Sequence, residues 1–332
     1  MNKTNIIAEI GNTHEGSVGL AKQFIKVAAA CGVDAVKFQT HMFEAESLPN
    51  APNPKYFTDE TRKQYFERTA FNFEQYQVLK QYAEQECGVE FLSSPFSIEA
   101  VDFLLKLGLK TLKIPSGEVS NIPMLEYIAK SGCKVLLSSG MSSWAELDEA
   151  VNIFKPNNEL IVLQCTSEYP CAPENAGIGT MQQIKSRYGC QVGFSDHTLG
   201  IGVPIAAVVS GAVVVEKHFT LSKMMYGSDA KNSTEPEEFK QLVEGIRAAE
   251  KSIYSVVDKD AKVESLRDMK VTFEKSIVAA EHLPEGTIIQ EKHLCYKKPG
   301  NGIPAKKYRD IIGKKVIQQV EKNQLLSLEH FA

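Results

Sequence analysis

From residue 5 to about residue 220 the chain alternates eight short β-rich runs with longer helical patterns, and this alternation constrains its fold more than any other feature. The runs are Asn5–Gly11, Asp34–Thr40, Glu90–Phe96, Thr111–Ser116, Lys134–Gly140, Leu160–Thr166, Gln191–His197 and Ala212–Thr220. Apolar residues at helical spacing fill the intervals at Leu20–Cys31, Phe73–Cys87, Ile98–Leu107, Met124–Ser131 and Trp144–Phe154, with a last stretch at Glu237–Tyr254. Strands that alternate with helices pair in parallel. Eight such units predict an α/β fold of the closed (β/α)8 TIM barrel type in preference to an open doubly wound sheet. Such a barrel takes roughly 250 residues, so a chain of 332 has room for it and one small module.

The expected division is a barrel over 1–255, a charged linker over 256–273 and a small C-terminal domain over 274–332. That last part carries a strand-like Lys275–Ala280, turns at Pro284-Glu285-Gly286 and Pro299-Gly300-Asn301-Gly302, and a second apolar run at Val316–Val320. A unit so small buries little apolar surface alone and is expected to lean on a partner surface. The segment His41 to Ala70, with Pro49, Pro52 and Pro54, is too long for an ordinary connection and predicts a loop with short helices over the barrel mouth.

Composition excludes several classes. A formal charge of −4 and a pI near 6.0 leave no basic footprint, so no nucleic-acid partner is expected. The longest apolar run, Ile205 to Val215, is too short to cross a bilayer, and no charged segment leads into an apolar one at the start. No membrane association and a cytoplasmic location are expected. Seven scattered cysteines without a C-x-x-C pair read as reduced thiols. Neither the Rossmann nor the Walker glycine spacing occurs, so neither NAD nor ATP is called for.

In a (β/α)8 barrel the chemistry lies at the C-terminal strand ends, which makes polar residues there informative. The first run leads into Gly11-Asn12-Thr13-His14-Glu15-Gly16, and alternation places Lys37 and Gln39 of the second on one face. Ser93-Ser94, Lys113 with Ser116-Gly117-Glu118, Ser138-Ser139 and Ser195 follow at later strand ends. Any one serine is explained as well by an ordinary turn. Their coincidence with lysines around one mouth predicts a site for a phosphate and a carboxylate. His197 and His218 end neighbouring strands and can share a divalent metal, although hydrogen-bonded core histidines fit the same spacing. Lys217 serves equally as a structural ion pair, Glu15 and Glu118 as solvent-facing caps, and Cys165 as a buried thiol.

Several segments together resemble the N-acetylneuraminate (sialic acid) synthase family. They are Ile7-Ala8-Glu9-Ile10-Gly11 with His14-Glu15-Gly16, Lys113 to Glu118, Leu137 to Met141, Cys165 to Pro170, Phe194 to Ile201, Glu216 to Leu221 and Gly227-Ser228-Asp229. Residues 274–332 resemble the antifreeze-like (SAF) domain that ends these synthases. The resemblance implies condensation of phosphoenolpyruvate with an N-acylated hexose and water, giving a nine-carbon 2-keto acid and phosphate. N-acetylmannosamine, leading to N-acetylneuraminate, is the favoured acceptor. A 2,4-diacetamido-2,4,6-trideoxyhexose, leading to legionaminic or pseudaminic acid, is the alternative.

By the same resemblance His197 and His218 are metal ligands, for Mn2+ first and Mg2+ or Co2+ otherwise. Lys37, Ser94, Lys113, Ser116, Ser138 and Ser195 form the phosphoenolpyruvate cradle. Glu15, Glu118 and Asp229 are the implied catalytic groups, and they face the sugar together with Tyr169 and Lys298. The family also implies a homodimer in which one subunit's SAF domain covers the other's barrel. Two positions depart from its pattern: Ser167 stands for an asparagine, and Lys298 for an arginine whose bidentate contact lysine does not reproduce. Outside the family, a Schiff-base aldolase using Lys37, Lys113 or Lys217 and a non-catalytic carbohydrate-binding protein are the competing accounts.

Overall fold

The computed structural model describes residues 3–53, 60–227 and 229–332, so Pro54 and Ser228 lie outside the described residues. The chain divides into two compact units, Met1–Ser255 and Val256–Ala332. In the first, the strands are β1 (Asn5–Gly11), β2 (Ala35–Thr40), β3 (Glu90–Pro95), β4 (Thr111–Ile114), β5 (Lys134–Ser138), β6 (Leu160–Cys165), β7 (Gln191–Asp196) and β8 (Val214–His218). They run in the order β3-β2-β1-β8-β7-β6-β5-β4, every hydrogen-bonded pair parallel. The Thr111 hydroxyl donates to the Glu90 carboxylate at 3.2 Å across the β4–β3 seam, and the barrel is near-closed as the alternation predicts.

The helices are α1 (Val18–Ala30), α2 (Phe43–Glu46), α3 (Arg62–Thr69), α4 (Phe73–Gln81), α5 (Ile98–Lys106), α6 (Ile122–Ala129), α7 (Trp144–Phe154), α8 (Ile178–Tyr188), α9 (Gly202–Val209) and α10 (Pro236–Ile253). Most begin on a polar cap that satisfies a free amide of the first turn: Ser17 for α1, Thr61 for α3, Asn72 for α4, Ser97 for α5, Asn121 for α6 and Ser143 for α7. The sequence patterns leave out α8 and α9. Both lack a side-chain cap, and α9 reads Gly-Val-Pro-Ile-Ala-Ala-Val-Val, without a polar face to set a period. No helix among the described residues is long and apolar enough to cross a membrane.

Strand parity sorts side chains into two cores. Outward residues such as Ile6, Phe38, Leu112, Val162 and Phe194 pack under the helices. Inward residues Ile7, Ala35, Leu92, Leu136, Ile161, Leu163 and Val214 fill the lower barrel. One step further along each strand the inward positions turn polar, and there the site begins.

In the second unit, α11 (Lys259–Ser265) and α12 (Arg267–Phe273) occupy the segment expected as a linker. They precede an antiparallel pair, β9 (Ser276–Ala279) with β10 (Leu294–Lys297). Despite its size the unit has a core of its own, built on Ile277, Leu283, Ile289, Ile311, Val316, Val320 and Leu326. Isolated bridges such as Leu283–Val320 and Val278–Leu325 fold its turns back so that their apolar residues converge.

Gly193 measures how tightly the lower barrel is filled: a Cβ there would lie 2.7 Å from Leu163 Cδ2 and 2.9 Å from the Val214 carbonyl. Gly193→Val is expected to destabilise the chain by about 1–3 kcal/mol, read as a lower urea midpoint at unchanged slope.

Candidate active site

Directly above the apolar layer, two lysines and two carboxylates share the barrel interior. Lys37 Nζ stands 2.6 Å from Glu9 Oε2 and 3.8 Å from Glu216 Oε2, and donates to Ser94 Oγ at 3.2 Å. Lys113 Nζ donates to Ser138 Oγ at 2.7 Å and lies 3.7 Å from Glu216 Oε1, which also accepts from Ser195 Oγ at 3.2 Å. Every one of these side chains is buried. Burial opposes charge on Lys37, but Glu216 and Glu9 outweigh it and hold its pKa above the usual lysine value. Burial opposes charge on Glu216 too, and there Lys113 and Lys37 prevail and hold the carboxyl low. Glu9 goes the other way: burial pushes it up to about 7 against the pull of Lys37. Burial also lowers Lys113, whose nearest carboxylate is shared.

These groups form the floor of a cavity of about 630 Å³. Ser116, Glu118, Tyr169, His197, His218 and Asp229 line it higher up, and Glu46, Arg62, Tyr65 and Phe66 come from the long excursion after β2, which supplies the expected short helices over the mouth. Gly140 packs where any side chain would stand 2.5 Å from Ser167 Oγ and 2.6 Å from Ser116 Oγ. Burial raises Glu118, which accepts from Asn121 Nδ2 at 2.9 Å, and burial drives the Tyr169 hydroxyl far up.

The rings of His197 and His218 are 5.6 Å apart, and the Tyr169 ring lies against His197 at 4.1 Å, tilted by 44°. His197 Nδ1 lies 2.9 Å from the Thr166 carbonyl, which fixes the ring and turns Nε2 away, with Cys165 Sγ at 3.8 Å. His218 Nδ1 is buried 4.0 Å from Asp229 Oδ2 and has no hydrogen-bond partner among the described residues. Burial lowers His218 to about 4, so the ring is neutral at pH 7 and able to donate a lone pair. Burial resists charge on His197, but its contacts with Cys165 and Thr166 carry the net shift upward. Among the described residues no group of three or more His, Cys, Asp or Glu side chains is placed to hold a metal, so an ion here would draw its remaining ligands from water or substrate.

Three residues singled out from the sequence lie elsewhere. Glu15, at φ +54°, is absent from the cavity lining and pairs with Arg68 at 2.6 Å; Arg68 also grips Glu60. Lys298 belongs to the second unit, its ammonium 4.9 Å above the Phe273 ring. Lys217 points outward from β8 and pairs with Asp196 at 2.5 Å, the structural alternative. Glu9 and Glu216 are two charged groups of the cavity floor that sequence reasoning passed over. Their signal is parity, since both share the inward face of their strands, Glu9 with Ile7 and Glu216 with His218.

Barrel, ion-paired floor and histidine pair together define an α/β barrel with a charged, histidine-lined cavity at its mouth. A family model described as the NeuB family matches residues 24–258, and a SAF domain model matches residues 274–332. The chain is 39% identical to the N,N'-diacetyllegionaminic acid synthase of Campylobacter jejuni, over 98% of this chain and 99% of that one. It is 35% identical to the human N-acetylneuraminate-9-phosphate synthase, over 98% and 91%. A crystal structure of the N-acetylneuraminic acid synthetase of Leptospira borgpetersenii in complex with citrate superposes with a TM-score of 0.70 at 32% identity, covering 81% of this chain and 93% of that one. The chain belongs to the NeuB family, and its C-terminal unit is a SAF domain.

Two stability measurements separate scaffold from site. Lys217→Met strands the buried Asp196 and is expected to cost about 3–5 kcal/mol, most of it recovered when Asp196→Leu is added; chemical denaturation reads both. His14, stacked 4.4 Å from Phe71, is lowered by burial to about 3. Its folded pKa lies below its unfolded value, so its contribution is complete above pH about 6.5 and is lost as pH falls toward 3. The stability of His14→Phe should fall less steeply over that window.

Proposed function

We propose that the chain condenses phosphoenolpyruvate with the open-chain aldehyde of an N-acylated hexose and water, releasing phosphate and a nine-carbon 2-keto acid. The observation that carries this assignment is vertical order: two lysines and three serines form an anion-binding floor directly beneath a histidine pair in one cavity. The names of the relatives, an N,N'-diacetyllegionaminic acid synthase and an N-acetylneuraminate-9-phosphate synthase, support it.

Lys37 and Lys113, with Ser94, Ser138, Ser195 and Ser116, receive the phosphate and carboxylate of phosphoenolpyruvate. Glu216 helps keep Lys37 charged in a dry setting, opposes the fall that burial imposes on Lys113, and preorganises both. His197 and His218 would hold a divalent ion, Mn2+ first and Mg2+ or Co2+ otherwise, whose contribution when bound is Lewis-acid polarisation of the sugar carbonyl. Tyr169, Glu118 and Asp229 face the sugar. Attack by the enol carbon leaves positive charge beside the carboxylate, where water adds before the C–O bond to phosphate breaks. Glu9, pushed up to about 7, is the carboxyl suited to take and return that water's proton, in place of Glu15. A homodimer in which the partner's SAF domain brings its Lys298 over the mouth belongs to the same proposal, as does a cytoplasmic location.

N-acetylmannosamine is the first acceptor to test. A 2,4-diacetamido-2,4,6-trideoxyhexose is favoured by one observation, the 39% relative matched along nearly its full length. Phosphate release from phosphoenolpyruvate should need one of these sugars, vanish with EDTA and return with Mn2+, and His218→Ala should lower it at least about a hundredfold. Absence of release with every acceptor at saturating Mn2+ defeats the assignment, and borohydride trapping of a pyruvate adduct would favour the aldolase instead.

A further inference from the structure

His41 lies outside the anion-binding floor and the histidine pair, yet few side chains in the molecule are held as firmly. Its ring is sandwiched between Phe66 at 3.8 Å and 14° and Phe96 at 4.0 Å and 20°. Nδ1 faces both carboxylate oxygens of Glu46, at 2.9 and 3.1 Å, and both side chains are buried. Nε2 faces Gln39 Oε1 at 3.1 Å. The other end of that carboxamide, Gln39 Nε2, donates to Glu9 Oε1 at 2.8 Å. A carboxamide can turn over and exchange its oxygen and nitrogen, which would set Oε1 against the Glu9 carboxylate. With Nδ1–H donating to the Glu46 carboxylate, a proton on Nε2 as well makes His41 a donor to Gln39 Oε1, and that N–H, with Asn12 Nδ2 at 3.5 Å, calls for the oxygen on their side.

We propose that His41 is a positioning residue: clamped by two phenylalanines and anchored by Glu46, it fixes the orientation of Gln39 and so keeps an N–H donor on Glu9. Phe66 and Glu46 come from the excursion over the mouth, Gln39 and Glu9 from the barrel strands, so the same ring couples the seating of that excursion to the cavity floor. The role deepens the proposed condensation and rests on it for its kinetic readout, but its structural half stands without it.

His41→Phe keeps a flat ring between Phe66 and Phe96 and removes both hydrogen bonds. In a crystal structure of this variant, which needs no substrate, the Gln39 carboxamide should have turned from Glu9 or adopted two orientations. In phosphate release, kcat should fall by about tenfold or more while KM for phosphoenolpyruvate stays within about twofold, because the lysines are untouched. In a Gln39→Ala background the same replacement should have no further effect on kcat, a non-additivity that a merely structural role would not produce. Glu46→Gln, which keeps the shape of the anchor, gives a smaller loss of the same kind and serves if His41→Phe does not fold. The proposal is overturned if Gln39 keeps its place in the variant structure, or if the loss in kcat is equal with and without Gln39. A wild-type chain that releases no phosphate defeats the condensation alone, and the variant structure still decides the role of His41.

Discussion

Two ammonium and two carboxylate groups are packed into the dry interior of a barrel, and much else in the first unit follows from that constraint. Burying such charges costs more than burying apolar groups of equal volume, even when they are paired. Glu9, Lys37, Lys113 and Glu216 are therefore a poor way to stabilise a barrel and a good way to keep fixed charge in it. The apolar layer of Ile7, Leu92, Leu136, Ile161, Leu163 and Val214 beneath them keeps water from the lower end, the serines of β3 and β5 accept the hydrogen bonds that a buried ammonium requires, and Ser195 of β7 donates to the Glu216 carboxylate. Lys37 faces Glu9 in register on the neighbouring strand, so pairing is set by the sheet before any side chain adjusts. Glu216 lies within reach of both lysines and holds them on either side of one carboxylate.

The same interior explains what could and could not be read from the residues. Eight β-rich runs mark eight strands to within a few residues, because β-branched and apolar positions concentrate where a buried strand needs them. Serines at strand ends and the paired histidines are equally local signals. Glu15 and Glu9 show the limit. Glu15 stands in a loop beside a histidine and looks exposed to the mouth, but its partner is Arg68, 53 residues away, brought near only by the excursion after β2. Glu9 sits inside a strand, where a carboxylate reads as an oddity until parity is followed and Lys37 is found opposite. His14, for all its prominence in the same loop, is a stacked core residue. Lys217 differs from Lys37 only by the face of the strand it occupies. Helix α9 is lost for a different reason: an apolar stretch buried on most sides has no period to display.

The excursion between β2 and α4 shows how a long segment becomes part of a rigid site. Chain of this length is costly to order, and little of α2 or α3 is buried apolar surface: Phe43, Tyr65 and Thr69 are their buried residues. Order comes instead from a few strong ties. Arg68 holds Glu60 within the segment and Glu15 on the first loop, His41 holds Glu46, and Thr61 closes a capping box on Gln64. Of these, the His41 sandwich reaches the cavity through Gln39.

Burial acts on His218 and Lys37 with opposite results, and the difference is chemically coherent. Both are bases whose charged form is penalised in a dry cavity. Lys37 has two carboxylates near it and stays charged, as the partner of an anion must. His218 has burial first, then a second imidazole and Lys37, working against its protonation, which the carboxylate at 4.0 Å does not offset, so it stays neutral. Exchanging their surroundings would spoil both: a neutral lysine binds phosphate weakly, and an imidazolium binds no cation. Parity makes the separation possible, since Glu216 and His218 rise on the same face of β8 one layer apart. The carboxylate lies between the two lysines it faces, and the imidazole one step nearer the mouth, where an acceptor sugar would arrive.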